Sequence, residues 1–241
     1  MAVGSNLPKM NFYRYQAINK LTLQNLSNQK NWVADPFEFN DPFEFSLIDK
    51  YYHNEKGKIE HFEREHLERI KSIEDEISEF GVVCYSSNYI NNLLWAHYAD
   101  NHKGMCLVFD VPEEKVPSLY KVTYSKKFPL VGITEKSENY KEIIPVVTTK
   151  SIDWSYEEEY REVFIMKNML NDYPGELTEI IFGCRTPFDD IQIVRDIAIS
   201  KNKNVKISKM HIAQNQYQLM KGTTGNNMEI PKFWKLKNLK M

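Results

Sequence analysis

The stretch at residues 150–166, KSIDWSYEEEYREVFIM, limits what this chain can fold into more than any other. Acidic and aromatic residues lead directly into an apolar run, which is typical of a strand whose side chains alternate between two faces. As a strand, it places Glu157, Glu159 and Arg161 on one face and Glu158 on the other. Two carboxylates and a guanidinium in a row predict a polar site, provided that this face lines a cleft. In a helix, the first and last of the three would form an ordinary surface pair worth about 0.2–0.5 kcal/mol.

Length and composition narrow the class of protein. A chain of 241 residues can bury a sizeable core, as one large domain or two small ones. We find no second domain boundary in the sequence and therefore expect one domain over residues 1–241. The formal net charge of -2 argues against nucleic-acid binding through a general basic surface. Aromatic residues make up 13% of the chain, which favours a ring-rich core or pocket over disorder.

Three cysteines, Cys84, Cys106 and Cys184, each lie in an apolar run. Their odd number and their surroundings are typical of reduced core thiols, not of a disulfide framework or a zinc site. The sequence contains neither an apolar run of membrane-spanning length nor a recognisable signal peptide. We therefore expect a cytoplasmic protein without membrane contact, and we expect residues 1–8 to be flexible or left over from cloning.

Apolar periodicity and turn residues predict an α+β fold with a mixed β-sheet and flanking helices. Strands are expected near 11–15, 31–34, 81–85, 105–111, 120–124, 180–183 and 204–210, and helices near 18–26, 91–100, 139–149 and 186–201. A long amphipathic helix is expected at about 58–80, outside the core sheet, because apolar residues recur there every three or four positions. The strand–helix–strand unit at 180–210 could pair its two strands in parallel.

The sequence DPFEF occurs at 35–39 and again at 41–45. Asp followed by Pro initiates turns, so local turn chemistry is sufficient to explain this repeat. The functional alternative is that Asn40, Asp41 and Glu44 hold a loop over a pocket.

The helix expected at 91–100 is rich in aromatic residues. We expect Trp95 and Tyr98, together with Trp154, to be largely buried as walls of a central cleft. His97 is more typical of a satisfied, partly buried histidine than of a catalytic one. The polar residues 86–88 are expected to cap this helix, and Thr186 is expected to cap the helix at 186–201.

Several motifs in this order resemble a widespread bacterial family of unassigned function. They are FNDPFE at 39–44, WAHYADNHKG at 95–104 and WSYEEEYR at 154–161. The family is recognised by an FNDPFE-type turn, a W-x-H-Y-A-x-x-H-x-G stretch and a W-x-Y-E-x-E-[WY]-R stretch. The resemblance covers most of the chain, but it implies no particular activity.

A second, more remote resemblance implies a chemistry. Arg14 on an early strand, Ser86 after a middle strand and Glu159 on a late strand have the order of the ADP-ribosyltransferase family. The resemblance implies that the arginine contacts the phosphates or ribose of NAD, that the serine braces the site, and that the glutamate holds the nicotinamide ribose. A carboxylate there stabilises the oxocarbenium charge that develops as the ribose–nicotinamide bond breaks. The pair Ser86-Ser87 departs from the full S-T-S signature of that family.

The same resemblance implies further roles. Glu157 is expected to act beside the catalytic glutamate, while Tyr15, Tyr98 and Arg161 are expected to contact NAD as a substrate. The acceptor would be a protein or a nucleic acid, and the protein would act as a bacterial toxin or a phage-defence effector.

Two other functions are open at this point. The first is a non-catalytic module that senses a nucleotide or another nucleotide-like small molecule, in which the carboxylates are structural. The second is a metal-dependent hydrolase or nuclease that uses Asp41, Glu44, Glu157 and Glu159 around Mg²⁺, since carboxylates suit hard cations. No compact acidic motif marks such a site, so we expect no metal.

Overall fold

A computed structural model of the chain describes residues 9–49, 71, 74–75, 77–131 and 143–224. Its first strands are β1 (Lys9–Gln16), β2 (Lys30–Val33), β3 (Ile48–Asp49), β4 (Gly81–Ser86), β5 (Met105–Pro112), β6 (Tyr120–Lys121) and β7 (Thr123–Ser125). The later strands are β8 (Leu130–Val131), β9 (Thr149–Ser151), β10 (Glu159–Phe164), β11 (Met169–Asp172), β12 (Glu176–Phe182), β13 (Lys206–Ile212) and β14 (Leu219–Thr224). The described helices are α1 (Lys20–Asn28), α2 (Asn92–His97), α3 (Ile144–Val147) and α4 (Phe188–Lys201).

An eight-stranded sheet in the order β14-β13-β12-β5-β1-β4-β10-β6 forms the body of the protein. Strands β12 and β13 pair in parallel, and the other neighbours in this sheet pair antiparallel. The mixed sheet confirms the predicted α+β class. The parallel pairing at 180–210 is also confirmed, with α4 as the connection between β12 and β13.

Apolar side chains cover both faces of this sheet, because its strands alternate their side chains between the two. One face carries Phe12, Tyr85 and Phe109 and packs against Ile191 and Val194 of α4. The opposite face carries smaller clusters. One is centred on Trp95 of α2, whose ring lies 5.1 Å from that of Tyr15; another contains Phe45, Val82 and Val146. The sheet is therefore buried from both sides.

The main irregularity lies between β1 and β4. Strand β1 pairs with β5 along all eight of its residues, but it pairs with β4 only at Tyr13 and Ser86. Strand β4 pairs with β10 along its whole length, from Ser86 opposite Glu159 to Gly81 opposite Phe164. Beyond Tyr13 the two strands separate, and this gap opens the sheet at its centre.

Four local predictions are corrected. Helix α2 is capped by the side chain of Asn91 and not by residues 86–88. Helix α4 follows Pro187 without a side-chain cap, since the Thr186 hydroxyl donates to the carbonyl of Gly104. The predicted helix at 139–149 is reduced, within its described part, to the single turn of α3. The predicted strand at 120–124 is interrupted at Val122 and forms β6 and β7.

Some predictions concern residues that the structure does not describe. These are the segment at 1–8, expected to be flexible or left over from cloning, and most of the helix expected at about 58–80. Of that helix, the described residues 71, 74–75 and 77–78 are helical. Among the described residues, the helices are all too short or too polar to cross a membrane.

Candidate functional site

A cavity of about 410 Å³ lies in the gap between β1 and β4. Strand β1 lines it with Tyr13, Arg14 and Tyr15. Strand β4 lines it with Val82, Cys84, Tyr85 and Ser86. Consecutive residues of one strand normally point to opposite faces. They share a cavity here because the separated strands leave an opening through the sheet. The remaining walls come from residues after β2, from α2, and from the segment around Glu157 and Glu159.

A cluster of charged side chains forms the floor of this cavity, and Lys150 of β9 lies at its centre. The Lys150 Nζ is 2.6 Å from Glu157 Oε2, 3.3 Å from Glu159 Oε2 and 3.3 Å from Glu44 Oε1. The four side chains are between 3% and 6% exposed. The cluster is therefore desolvated, and its charges interact more strongly than they would at the surface.

Arg161 of β10 binds the other side of two of these carboxylates. It forms a bidentate pair with Glu44, at 2.9 and 3.0 Å, and a second pair with Glu159, at 2.8 and 3.1 Å. Its Nη1 also donates to the carbonyl oxygen of Val147, at 2.8 Å. A guanidinium has five N–H donors, and all five are used here. Arg161 is fully buried and therefore ties β10 to the turn that carries Glu44 and to the end of α3.

The pKa values of the two cavity glutamates are moved in opposite directions. Burial alone would raise the pKa of Glu159, but the charges of Arg161 and Lys150 outweigh burial and bring it to about 2. Burial raises the pKa of Glu157, and the Lys150 ammonium opposes that rise without cancelling it. Burial acts to lower the pKa of Lys150, but its three glutamate partners raise it well above the ordinary value. Three carboxylates thus face two permanent cations, so the cluster has one net negative charge when all are ionised.

Neutral groups hold Glu157 and Glu159 from other directions. The Tyr98 hydroxyl donates to Glu157 Oε1 at 2.6 Å, so both oxygens of that carboxylate accept hydrogen bonds. The Ser86 hydroxyl donates to the Glu157 carbonyl at 2.6 Å, and the bracing role that the resemblance implies for Ser86 stays a prediction. The backbone N–H of Glu159 donates to the Tyr124 hydroxyl at 2.9 Å.

The predicted division of faces holds for β10 itself. Glu159 and Arg161 share the cavity face, although β10 begins only at Glu159. Glu157 ends a 3₁₀ segment, Ile152–Glu157, and Glu158 has a left-handed backbone with a φ of 47°. This single residue turns the chain so that Glu157 still reaches Lys150. Glu158 itself is exposed.

Arg14 lines the cavity from a different side than Glu159. It lies on the sheet face opposite Glu159, and its Nη2 donates to the Trp32 carbonyl at 3.1 Å. Its Nη1 is buried and has no hydrogen-bond partner in the described part of the chain. Tyr13 pairs with Ser86, and Ser86 pairs with Glu159, so Tyr13 and not Arg14 shares the sheet face of Glu159. Arg14 and the two glutamates occupy different walls of the same cavity.

The loop after β2 reaches the site through Glu44, as the functional interpretation of the repeated DPFEF predicted. The Asp41 carboxylate accepts from the backbone N–H of Phe43 at 2.9 Å, which is turn chemistry. Asn40 is exposed and lines the cavity beside Phe39. Asn40 and Asp41 also line a second cavity of about 460 Å³, next to Trp154. The segment therefore combines turn chemistry at Asp41 with a carboxylate, Glu44, that belongs to the charged cluster.

The aromatic residues predicted to wall the cleft differ in burial. Trp95 is fully buried, and its indole N–H donates to the Tyr89 carbonyl at 2.8 Å. Tyr98 and Trp154 are half-buried, and Trp154 also lies 4.9 Å from the Lys150 ammonium. Tyr15 lines the cavity and donates through its hydroxyl to the Asn88 carbonyl. His97 is exposed at the cavity, and not enclosed as the sequence suggested.

Sequence reasoning missed the central cation. Lys150 precedes the glutamates by seven and nine residues, a spacing that matches neither strand nor helix periodicity. The one available signal was a lone lysine at the start of an acidic, aromatic stretch. Tyr124 was also missed, although the alternation at 120–124 indicated that one face of that strand is buried.

The metal-dependent alternative fits this arrangement poorly. Among the described residues, no group of three or more His, Cys, Asp or Glu side chains is arranged to hold a metal ion. Glu44, Glu157 and Glu159 do converge, but the Lys150 ammonium lies at the point where they converge. Asp41 is engaged in its own turn. The carboxylates are therefore already paired with cationic side chains of the protein.

Part of the chain is similar to a protein family of unknown function. A family model described as "Protein of unknown function (DUF2971)" matches residues 94–162. No curated protein and no solved structure matches the chain. The matched residues run from α2 to β10, and they carry Tyr98, Lys150, Glu157, Glu159 and Arg161. Over this segment the chain is thus similar to an uncharacterised family, and the resemblance to ADP-ribosyltransferases stays a prediction.

Proposed function

We propose that this protein binds NAD in the cavity between β1 and β4 and breaks its nicotinamide–ribose bond, as an ADP-ribosyltransferase-like enzyme. One observation carries the proposal. The separated strands bring an unpaired guanidinium nitrogen and a negatively charged cluster to different walls of one cavity. NAD has the matching polarity, with an anionic pyrophosphate some distance from a positively charged nicotinamide ring.

Arg14 supports the anionic end of this arrangement. A buried donor without a partner is costly to the free protein, at about 1–3 kcal/mol or more for a charged group. A ligand oxygen that accepts from Nη1 removes this cost, and guanidinium groups bind phosphate oxygens well. The Nη2 bond to the Trp32 carbonyl holds the guanidinium in place without using its free edge.

The charged cluster supports the cationic end. As the bond to nicotinamide lengthens, positive charge develops on the ribose, and a fixed carboxylate beside it lowers the barrier. Glu157 suits this role better than Glu159, because Arg161 already engages both oxygens of Glu159 with short, charge-assisted bonds. Lys150 and Tyr98 fix the orientation of Glu157. The rings of Tyr13, Tyr15 and Phe39 offer surfaces on which a nicotinamide or adenine ring can stack.

The test is nicotinamide release from NAD by the purified protein, together with the rise in melting temperature that NAD produces. Glu157→Gln, which keeps the shape of the side chain, should lose on the order of 10²–10³ in rate, the scale of one lost transition-state contact. Glu158→Gln is the matched control, since that neighbour is exposed. No shift in melting temperature at millimolar NAD, or equal release by wild type and Glu157→Gln, would contradict the proposal.

A non-catalytic nucleotide-sensing module is the second candidate, and one observation favours it. Both oxygens of Glu157 and both of Glu159 already accept hydrogen bonds from the protein. A site built only to bind has no need of a free carboxylate. NAD binding without nicotinamide release would support this second function.

A further inference from the structure

This inference rests on the proposed function and concerns how the attacking nucleophile loses its proton. The cavity glutamates are poorly placed to accept it. Tyr98 and Lys150 engage the two oxygens of Glu157, and Arg161 engages those of Glu159. The other titratable groups near them are proton donors, since burial raises the pKa of Tyr98, and the carboxylates keep Lys150 protonated.

Outside the charged cluster, Glu38 and His97 line the cavity and have the right chemistry. His97 is the one beside Tyr98, which donates a hydrogen bond to Glu157. It ends α2, is exposed, and lines the cavity together with Tyr98 and Glu157. Within the described part of the chain, its imidazole has neither a hydrogen-bond partner nor an ion-pair partner. Rings surround it instead, with centroids 6.3 Å away for Tyr98, 6.1 Å for Trp154 and 6.4 Å for Tyr156. The rings limit its movement and leave its nitrogen atoms free.

We propose that His97 is the general base that takes the proton of the nucleophile attacking the ribose. With water as nucleophile, the bond between C1′ and the nicotinamide nitrogen breaks, and its electron pair leaves with neutral nicotinamide. A lone pair of the water oxygen forms the new bond to C1′, and the water proton passes to the imidazole and then to solvent. The products are ADP-ribose, nicotinamide and one proton.

The groups around His97 define what a pH profile reports. Tyr98 lies beside it on α2, Trp154 and Tyr156 face it from the 3₁₀ segment, and the charges of Lys150 and Glu157 lie across the cavity. Tyr98 and Lys150 have raised pKa values and do not titrate near neutral pH. Burial raises the pKa of Glu157, so this carboxylate also loses its charge on acidification. The fall in rate is therefore assigned to His97 only where it disappears with that side chain.

The experiment measures nicotinamide release from NAD, with water as acceptor, across mildly acidic to mildly basic pH. In the wild type, the rate should fall as the pH is lowered. His97→Gln should lose on the order of 10²–10⁴ in rate, the range for a general base, and should no longer show this fall. The NAD-induced rise in melting temperature should be retained. Added imidazole should restore activity to His97→Ala, because the position is exposed. His211→Gln, on strand β13 away from the cavity, is the control and should match the wild type.

Two results overturn the base assignment alone. One is a His97→Gln enzyme within about threefold of the wild type with the same pH profile. The other is a slow variant that keeps the acid fall, has lost NAD binding and is not rescued by imidazole, since this indicates a structural role. If the wild type does not release nicotinamide, both the proposed function and the assignment of His97 as the base are wrong. The wild-type assay alone shows this outcome, without any variant.

Discussion

Arg161 and Arg14 lie in the same region of the sheet, yet their surroundings are opposite. Arg161 is fully buried and uses all five of its N–H donors on Glu44, Glu159 and the Val147 carbonyl. Arg14 makes one hydrogen bond, to the Trp32 carbonyl, and keeps a buried nitrogen without a partner among the described residues. The difference separates an arginine that holds the fold from the one to which we assign the proposed ligand contact.

The structural role of Arg161 and the proposed binding role of Arg14 are combined around one cavity. Arg161, Glu44 and Lys150 join β10, β9 and the loop after β2 through buried charges, and this rigid floor fixes Glu157. Arg14 can stay incompletely bonded because the rest of β1 is secured along its whole length by β5. We therefore expect stability to depend on the Arg161 side of the cavity and binding to depend on the Arg14 side.

The largest effect should come from Arg161. Arg161→Leu leaves Glu44 and Glu159 buried without their main cation, and breaking a buried ion pair in this way costs about 3–5 kcal/mol. Arg161→Lys keeps the charge but loses the planar fork, so the loss should be smaller. Unfolding in denaturant, followed by circular dichroism, measures both. A Leu variant within about 1 kcal/mol of the wild type would mean that this pair contributes little, as some buried pairs do.

The second prediction concerns acid. The folded-state pKa of Glu159 is about 2, against an ordinary value of 4.5. Its stabilisation is therefore present above about pH 4.5 and is lost as the pH falls toward 2. Linkage puts the loss at roughly 3 kcal/mol. Glu157, whose pKa is raised, acts in the opposite direction, because its protonation as the pH falls favours the folded state. Denaturant unfolding at pH values from about 5 down to about 2 covers the range between the two pKa values of Glu159. Over this range, the free energy of unfolding should fall less steeply for Glu159→Gln than for the wild type. An identical fall in wild type and variant would rule out this assignment.

Much of this architecture could be predicted from the sequence because it follows from short-range patterns. The apolar runs of β4, β5 and β12 and the alternation of β10 place Glu159 and Arg161 on one face without any knowledge of the fold. The parallel β12–α4–β13 unit follows from the same kind of signal. These features depend on neighbouring residues, whose spacing the sequence displays directly.

The site could be predicted only in part, since it depends on strand order and on one irregularity. The gap between β1 and β4 has no sequence signal, and the pairing register that turns Arg14 away from Glu159 has none either. The chain between Lys150 and the glutamates turns back through a 3₁₀ segment that ends at Glu158, a non-glycine residue in the left-handed region. This turn brings the glutamates next to Lys150. A strict alternation through residues 157–162 predicts that Arg161 contacts Glu159, but it does not predict that Lys150 does.

The third prediction tests the other half of the comparison. Arg14→Gln should change the free energy of unfolding by less than about 1 kcal/mol, because one hydrogen bond is lost and one unpaired donor is removed. It should weaken NAD binding roughly 10- to 100-fold, which corresponds to losing one charge-assisted hydrogen bond. Isothermal titration with NAD measures the affinity, and Arg185→Gln, at an exposed arginine outside the cavity, is the control. Equal weakening in both variants would mean that general charge, and not the cavity, attracts the ligand.

The smallest effect should come from Glu158, whose contrast with Glu159 parallels that between the two arginines. Glu158 is exposed and accepts from Ser87 at 3.1 Å and from Asn88 at 3.0 Å. Glu158→Gln retains one acceptor oxygen and loses a solvent-screened charge, so the free energy of unfolding should change by less than about 0.5 kcal/mol. Nicotinamide release should stay within about twofold of the wild type, because the side chain points away from Lys150 and the cavity. A loss as large as that of Glu157→Gln would place the middle glutamate of this run in the site and would remove the distinction between Glu158 and its buried neighbours.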